Sequence, residues 1–209
     1  SIHMMNVGEM ELFPKYKNDT DENLWPINKE VLKVKDLLSG EGFKFEETLK
    51  AHIVSHITIR QAIFLDEARK IRLNVLFVPN AQNQIKLFYS LFSTKGSGEN
   101  LITDNQNMPF GGFYPEHWTV NRFPLCHSLG QLLKKHRKAI EEAKDTWSLL
   151  DEDIRTKNNK LQRELEIKNR EMGLLNLPNN EEKQKISPDG CFRIWTEMWL
   201  LAYFGKTLS

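Results

Sequence analysis

The sequence predicts an α+β protein in which an antiparallel β-meander of about four to five strands packs with helices. A long, charged helical C-terminal region is expected to follow. Two observations lead to this prediction. Between residues 61 and 104, apolar and polar residues alternate in short runs separated by polar turns, as they do in a meander. From about residue 128 onward, apolar residues recur instead at the spacing of amphipathic helices.

The composition is that of an ordinary globular protein. Of the 209 residues, 40% are hydrophobic and 27% are charged. Lys and Arg number 29 against 28 Asp and Glu, so the charge balance provides no global field that would attract nucleic acid or an anionic membrane. The length suggests one domain, or one domain with an appendage.

Cysteine usage and hydropathy indicate the compartment. The two cysteines, Cys126 and Cys191, fit neither a zinc-binding spacing nor a disulfide framework, and free thiols are typical of a reducing compartment. No apolar run approaches the ~20 residues that a transmembrane helix needs. The sequence therefore predicts a cytoplasmic protein without a membrane span.

Changes in composition divide the chain into segments. Residues 1–4 are interpreted as an expression scar that precedes a native start at Met5. The remaining segments are an irregular N-terminal arm, an α+β core domain, a charged helical arm with its linker, and an aromatic C-terminal helix: residues 5–28, 29–150, 151–188 and 189–209.

The start of the core contains one clear helix and one ambiguous segment. Asn28 is a good N-cap residue, and the helix that it begins is expected to run to Ser39. Residues 43–60 fit either a strand or a helix. As a strand they place His52 and His56 on one face, whereas as a helix they place the two rings one turn apart.

Two helical segments are predicted after an aromatic loop. Because residues 105–126 are rich in aromatic side chains, this loop is expected to lie across the sheet or to build a groove. A helix over 128–150 carries a buried seam that includes Leu129, Leu132, Leu133 and His136. Residues 151–172 have few regular apolar positions, which fits a protruding helix or a weak coiled-coil seam.

The pair His52 and His56 is the pattern considered for a metal site. On a helix, two imidazoles at this spacing can share a metal ion. The sequence has Ile rather than Glu at position 53, and it specifies no third ligand. A metal site is therefore disfavoured, and the sequence indicates no cofactor.

The aromatic loop contains the residues most suited to catalysis. His117 can transfer protons near neutral pH, and Glu116 precedes it directly. Arg122 can hold an anion, and Cys126 offers a thiol. The alternative is that the loop packs through its aromatic residues and leaves His117 at the surface. The aromatic residues themselves are candidate binding residues: Phe113, Tyr114 and Trp118.

One basic cluster lies on the predicted helix 128–150. Its members are Lys134, Lys135, Arg137 and Lys138, which could bind phosphate. On a helix these side chains spread around the axis, and acidic residues follow within two turns, so a solvated helix face is the favoured interpretation.

Three functions remain open, and we rank them. The first is a protein–protein interaction or regulatory module without catalytic activity, with a protein partner or a second copy bound through residues 144–172. The second is an enzyme with a His-based site between the sheet and the 105–127 loop, which requires His117 to share a pocket with Arg122, Cys126 or His52. The third, a nucleic-acid binder that uses the basic cluster, is the weakest.

Overall fold

In the computed structural model, the described residues are 13–19, 29–54, 57–80, 82, 84–106, 112–175, 186–188, 190 and 192. Several sequence predictions lie outside them: the expression scar, the cap at Asn28, and nearly all of the C-terminal aromatic helix. No helix within the described ranges is long and apolar enough to cross a membrane.

A single mixed sheet forms the centre of the molecule, and its strands lie in the order in which they occur along the chain. All neighbouring strands are antiparallel except the last two, which are parallel. The strands are β1 (Lys17–Asn18), β2 (Lys44–Val54), β3 (Ile57–Leu65), β4 (Arg72–Pro79), β5 (Ile85–Thr94), β6 (Asn100–Asp104) and β7 (Trp118–Arg122). The helices are α1 (Lys29–Gly40), α2 (Leu129–Ala143) and α3 (Ile154–Glu171).

The sheet is larger than predicted. The α+β class and the antiparallel sheet are confirmed, but the described residues form seven strands rather than four to five. Within the ambiguous segment 43–60, residues 44–54 and 57–60 belong to β2 and β3, which pair along nearly their whole described length. Leu49, Ala51 and Ile53 alternate along β2, and all three are buried. The strand is favoured because it buries all of these side chains on one face.

The first face of the sheet is covered by α1 and α2, which enclose the larger apolar core. The predicted seam of α2 is confirmed, since its leucines and His136 are buried. The helix ends at Ala143 rather than near residue 150, because Lys144 adopts a left-handed conformation that closes it. The chain then returns to β5, where Gly96 donates to the Thr146 carbonyl and Ser148 to that of Thr94.

The second face is covered by α3, the segment 13–16 and the segment 112–118. Leu161 of α3 is buried in a cluster with Phe92 of β5 and Trp118 of β7. The apolar seam predicted to protrude or to form a coiled coil thus contacts the sheet of its own chain, and a coiled coil is not confirmed. Asn158 and Asn169 are buried in the same helix. Polar residues at such positions would weaken a coiled coil. In this fold they face polar groups of the sheet and of the segments that adjoin it.

His136 forms a buried polar contact between α2 and the sheet. Its Nε2 lies 2.9 Å from the Ser93 hydroxyl, and its Nδ1 lies 2.8 Å from the Thr103 hydroxyl. Burial lowers the pKa of His136 to about 4, and the neighbouring Arg137 acts in the same direction. The ring is therefore neutral in the folded protein at pH 7.

This ring should make the folded state sensitive to acid. The unfolded protein binds a proton at His136 near pH 6.5, whereas the folded protein does so only near pH 4. The free energy of unfolding should therefore decrease by about 3 kcal/mol as the pH falls from above 6.5 toward 4. Urea unfolding of the wild type and His136→Gln at pH 7, 5.5 and 4 measures this loss. The difference in the free energy of unfolding between the two proteins should decrease in acid. His127→Gln, a change at an exposed residue, should follow the wild type at each pH.

Candidate functional site

A cavity of about 150 Å³, lined by both apolar and polar side chains, lies between the second face of the sheet and α3. Its wall is formed by side chains from six strands, from α3 and from the two segments that border the sheet. In antiparallel strands, every second side chain points to the same face. Along β4, this alternation directs Leu73 and Val75 into the apolar core and directs Arg72 and Asn74 into the cavity wall.

Strand register aligns polar residues across the cavity wall. Asn74 pairs with Ser90, Ser90 pairs with Asp104, and Asp104 pairs with Arg122. All four side chains line the cavity. A polar row thus crosses four neighbouring strands on a face that a helix covers. Buried polar side chains are normally hydrogen-bonded, so a buried polar side chain without a partner in this row is unusual.

Arg72 is buried, and the described part of the chain offers it no counter-ion. Its residue is only 5% exposed, and Nε has no hydrogen-bond partner among the described residues. The guanidinium lies 4.6 Å from the centre of the Phe92 ring, and no carboxylate within the described ranges forms an ion pair with it. Burial alone lowers the pKa of Arg72 to about 10. The fold therefore holds a cation in a position where solvent does not stabilise it.

Asn74 ends a buried hydrogen-bond chain. The phenol of Tyr16 interacts with the Gln61 side chain, and the Nδ2 of Asn74 donates to the Oε1 of Gln61 over 2.6 Å. Burial raises the pKa of Tyr16 to about 12, so the phenol stays protonated. Oδ1 of Asn74 has no partner among the described residues. One acceptor at the cavity wall is therefore unsatisfied.

Asn158 brings a third unsatisfied group to the same wall from α3. The residue is 4% exposed, and its Nδ2 has no partner within the described part of the chain. All three unsatisfied atoms thus belong to residues that line one cavity: two donors and one acceptor, from β4 and α3. A buried polar atom without a partner destabilises the fold by about 1–3 kcal/mol, so three at one place point to a ligand or ordered water.

The second arginine of the wall is fully paired. Nε of Arg122 donates to Asp104 over 2.8 Å, and its terminal nitrogen Nη2 contacts both Asp104, at 3.1 Å, and the Tyr114 hydroxyl, at 2.8 Å. Burial lowers the pKa of Arg122, but the Asp104 carboxylate and the Tyr114 hydroxyl raise it more, and the net shift is upward. Arg122 thus ties β7 and the segment before it to β6.

Asn169 of α3 holds the segment 112–118 against the sheet. Its Oδ1 accepts from the Phe113 amide over 2.7 Å, and its Nδ2 donates to the Phe113 carbonyl over 2.8 Å. Gly112 approaches this amide so closely that a Cβ at that position would overlap Oδ1 of Asn169. A glycine is needed here because the backbone must come this close.

We expect Gly112→Ala to destabilise the protein by about 1–3 kcal/mol, because the added methyl group displaces Asn169 and breaks its buried hydrogen bonds. Chemical denaturation measures the change. Gly40→Ala is the matched control, since a Cβ at Gly40 meets no atom within 4 Å. Equal unfolding midpoints for the two variants would contradict the packing described here.

A second, surface cleft of about 330 Å³ lies beside the cavity and shares Arg72 with it. Lys157, Lys160 and His117 contribute to its wall, together with Glu152 and Glu164. Lys157 lies 4.0 Å from Glu152, and His117 lies 3.7 Å from Glu164. Arg72 therefore borders both the cavity between the sheet and α3 and a cleft that carries charged side chains.

The four predicted catalytic residues do not line a common cavity among the described residues. His117 is exposed beside Glu164 at the cleft, and Glu116 is exposed next to it. Arg122 lies in the cavity wall. Cys126 packs against the core on the opposite face of the sheet, 3.6 Å from Oε1 of Gln131.

The predicted binding residues fall into two groups. Phe113, Tyr114 and Trp118 line the cavity, and the rings of Tyr114 and Trp118 stack at 6.3 Å. The basic cluster lies on α2, away from both cavities. Within it, Arg137 bonds to Glu41 at 2.7 Å and Lys138 lies 3.7 Å from Glu142. Lys134 is exposed, and Lys135 lies over the Phe123 ring.

Of the two histidines considered for a metal site, the described structure contains only His52. His52 lies on β2, is exposed and contacts the Thr58 hydroxyl at 2.9 Å, while His56 lies outside the described residues. Within the described ranges, no group of three or more His, Cys, Asp or Glu side chains is arranged to hold a metal ion.

No family model, curated protein or solved structure matches the chain. The site must therefore be judged from its own geometry. Sequence patterns missed its central residues, Arg72, Asn74 and Asn158. The available signal was a charged or amide residue at every second position of a strand that is otherwise apolar, at residues 72 and 74.

Proposed function

We propose that this protein is a binding module that takes a small anionic ligand into the cavity between the sheet and α3. Arg72 provides the charge that the ligand neutralises. The observation that carries the proposal is an arginine residue only 5% exposed whose Nε has no hydrogen-bond partner, and which forms no ion pair with a carboxylate, among the described residues. Such a charge is costly to bury unless a partner compensates it, and an anionic ligand can be that partner.

The surroundings of Arg72 support the same proposal. Lys160 lines the cleft beside it, together with Glu164 and with Lys157, which lies near Glu152. The cleft thus carries both cations and anions, so the attraction of an anion rests on Arg72 itself. The unsatisfied amide of Asn158 adds a second donor at the wall. Ligand pockets are commonly apolar enclosures with a few convergent polar groups, and this cavity has that composition.

The proposal falls within the class of interaction or regulatory modules without catalytic activity. A ligand clamped between α3 and the sheet would stabilise the position of α3, and a partner that contacts α3 could respond to it. A contact through residues 144–172 remains a prediction. No observation favours the enzyme hypothesis over this one, because the predicted catalytic residues lie apart.

Binding of simple anions tests the proposal. Calorimetric titration and thermal unfolding should be measured with acetate, benzoate and phosphate, and with acetamide and benzamide as neutral counterparts. We expect at least one anion, and neither amide, to bind and to raise the Tm. An anion at one hundred times its Kd should stabilise the protein by about 2.7 kcal/mol.

Two substitutions make the test specific. Arg72→Met should abolish anion binding, whereas Lys134→Met removes an exposed positive charge from α2 and should leave binding unchanged. Binding of every anion unchanged in Arg72→Met would overturn the proposal. The proposal also fails if no anion binds the wild type, because the cavity would then hold only ordered water.

A further inference from the structure

The chemistry of the cavity wall also restricts which anion can bind. The inference drawn from this chemistry rests on the proposed function. We infer that the ligand is a small, planar, monocyclic carboxylate with a hydrogen-bonding substituent opposite its carboxyl group. Four features of the wall carry the inference: its size, its aromatic surfaces, its amide groups, and the spacing of its unsatisfied atoms.

Size limits the ligand to about one ring. The cavity measures about 150 Å³. An engineered apolar protein cavity of roughly this volume binds benzene, so one ring is a realistic upper size for a ligand that is fully enclosed. A nucleotide or a long acyl chain is too large for this space.

Aromatic side chains make the wall suitable for a flat ligand. Phe92, Phe113, Tyr114 and Trp118 all line the cavity, and Phe92 already lies beneath the Arg72 guanidinium. Aromatic rings attract one another in stacked or edge-to-face arrangements that are worth about 0.5–1.5 kcal/mol beyond burial. A planar ring can therefore contact these surfaces and still direct a carboxylate to Arg72.

Amide groups argue against a purely hydrocarbon ligand. Gln61, Asn74, Gln106, Asn158 and Gln162 line the same cavity. A lipid tail would leave their polar atoms without partners, and each such atom would reduce affinity. A ring with polar substituents can satisfy them.

The unsatisfied atoms specify where those substituents lie. Nε of Arg72 and Nδ2 of Asn158 are donors, so both suit carboxylate oxygens. Oδ1 of Asn74 is an acceptor, so it suits an O–H or N–H of the ligand. Arg72 and Asn74 are two residues apart on β4, and their side chains leave the strand about 7 Å apart. A six-membered ring that carries a carboxylate at one end and a donor at the other can contact two side chains that leave the strand this far apart.

Calorimetric titration of a matched panel tests this assignment. The panel contains para-, meta- and ortho-hydroxybenzoate, benzoate, cyclohexanecarboxylate and phenol. We expect para-hydroxybenzoate to bind about three- to tenfold more tightly than benzoate, as one added hydrogen bond implies. Cyclohexanecarboxylate, which is not flat, should bind more weakly than benzoate, and phenol should not bind measurably.

Asn74→Leu separates the two contacts. It should remove the preference for para-hydroxybenzoate over benzoate, measured as the ratio of the two Kd values in the same variant, while Thr119→Val, on an exposed residue of β7, should preserve the preference. If acetate or phosphate binds through Arg72 more tightly than every aromatic carboxylate, the inference is overturned and the proposed function stands. If no carboxylate or phosphate binds, both are overturned.

Discussion

Replacing Arg72 with methionine is expected to make the protein more stable, although a buried arginine in a strand would ordinarily be expected to contribute to stability. The folded-state pKa of Arg72 lies near 10, below its ordinary value of 12.5, and burial is the cause. Protonation at neutral pH therefore favours the unfolded chain by about 3 kcal/mol. Methionine retains much of the aliphatic volume and removes the charge.

The loss of the contact with Phe92 offsets part of this gain. A desolvated cation–π contact is worth up to about 2 kcal/mol, so the net stabilisation should be about 1–2 kcal/mol. Urea unfolding at pH 7 measures it, at low concentrations of small anions so that no ligand stabilises the wild type. Arg72→Lys is the control, because it retains a charge at the same site and should not gain stability.

A gain in stability combined with a loss of binding would identify Arg72 as a functional residue. Groups that bind ligands are often kept in positions that the fold alone does not favour. A destabilised Arg72→Met variant would instead indicate that the guanidinium has a structural role, and it would count against the proposed site.

The same substitution at Arg122 is expected to have the opposite effect. Arg122→Met should destabilise the protein by about 3–5 kcal/mol, because it leaves the Asp104 carboxylate buried and uncompensated. Both side chains of the pair are buried, Arg122 with 6% and Asp104 with 3% of its surface exposed. Two hydrogen bonds join them in a bidentate arrangement. Arg122→Met and Arg72→Met are thus matched variants in one cavity wall, with opposite predicted signs.

A double-mutant cycle with Asp104 checks the cause. Asp104→Asn should also be strongly destabilising, since it removes the partner of Arg122. Arg122→Met combined with Asp104→Asn should be less destabilising than the sum of the two single changes. Additive effects would show that the two side chains contribute independently, in conflict with the geometry of the pair.

Part of the candidate site could be anticipated from the sequence. The segment 105–126 is aromatic enough to indicate contact with the sheet, and Tyr114 and Trp118 do line the cavity. Arg122 was identified as an anion-binding residue, but its side chain is engaged by Asp104. The sequence cannot distinguish a paired arginine from an unpaired one, because the partner lies 18 residues away on another strand.

Local patterns are sufficient for the class of the fold and for the seam of α2. A strand by itself shows apolar residues at every second position, and a helix by itself shows them every three to four residues. Leu132, Leu133 and His136 follow the helical spacing. By contrast, α3 has few apolar positions, and its placement depends on groups that it meets elsewhere. Asn158 becomes a core residue because it lies against the cavity wall, and Asn169 because it bonds to the backbone of Phe113. The register that aligns Asn74, Ser90, Asp104 and Arg122 is likewise a property of four strands together, so the cavity exists only in the tertiary structure.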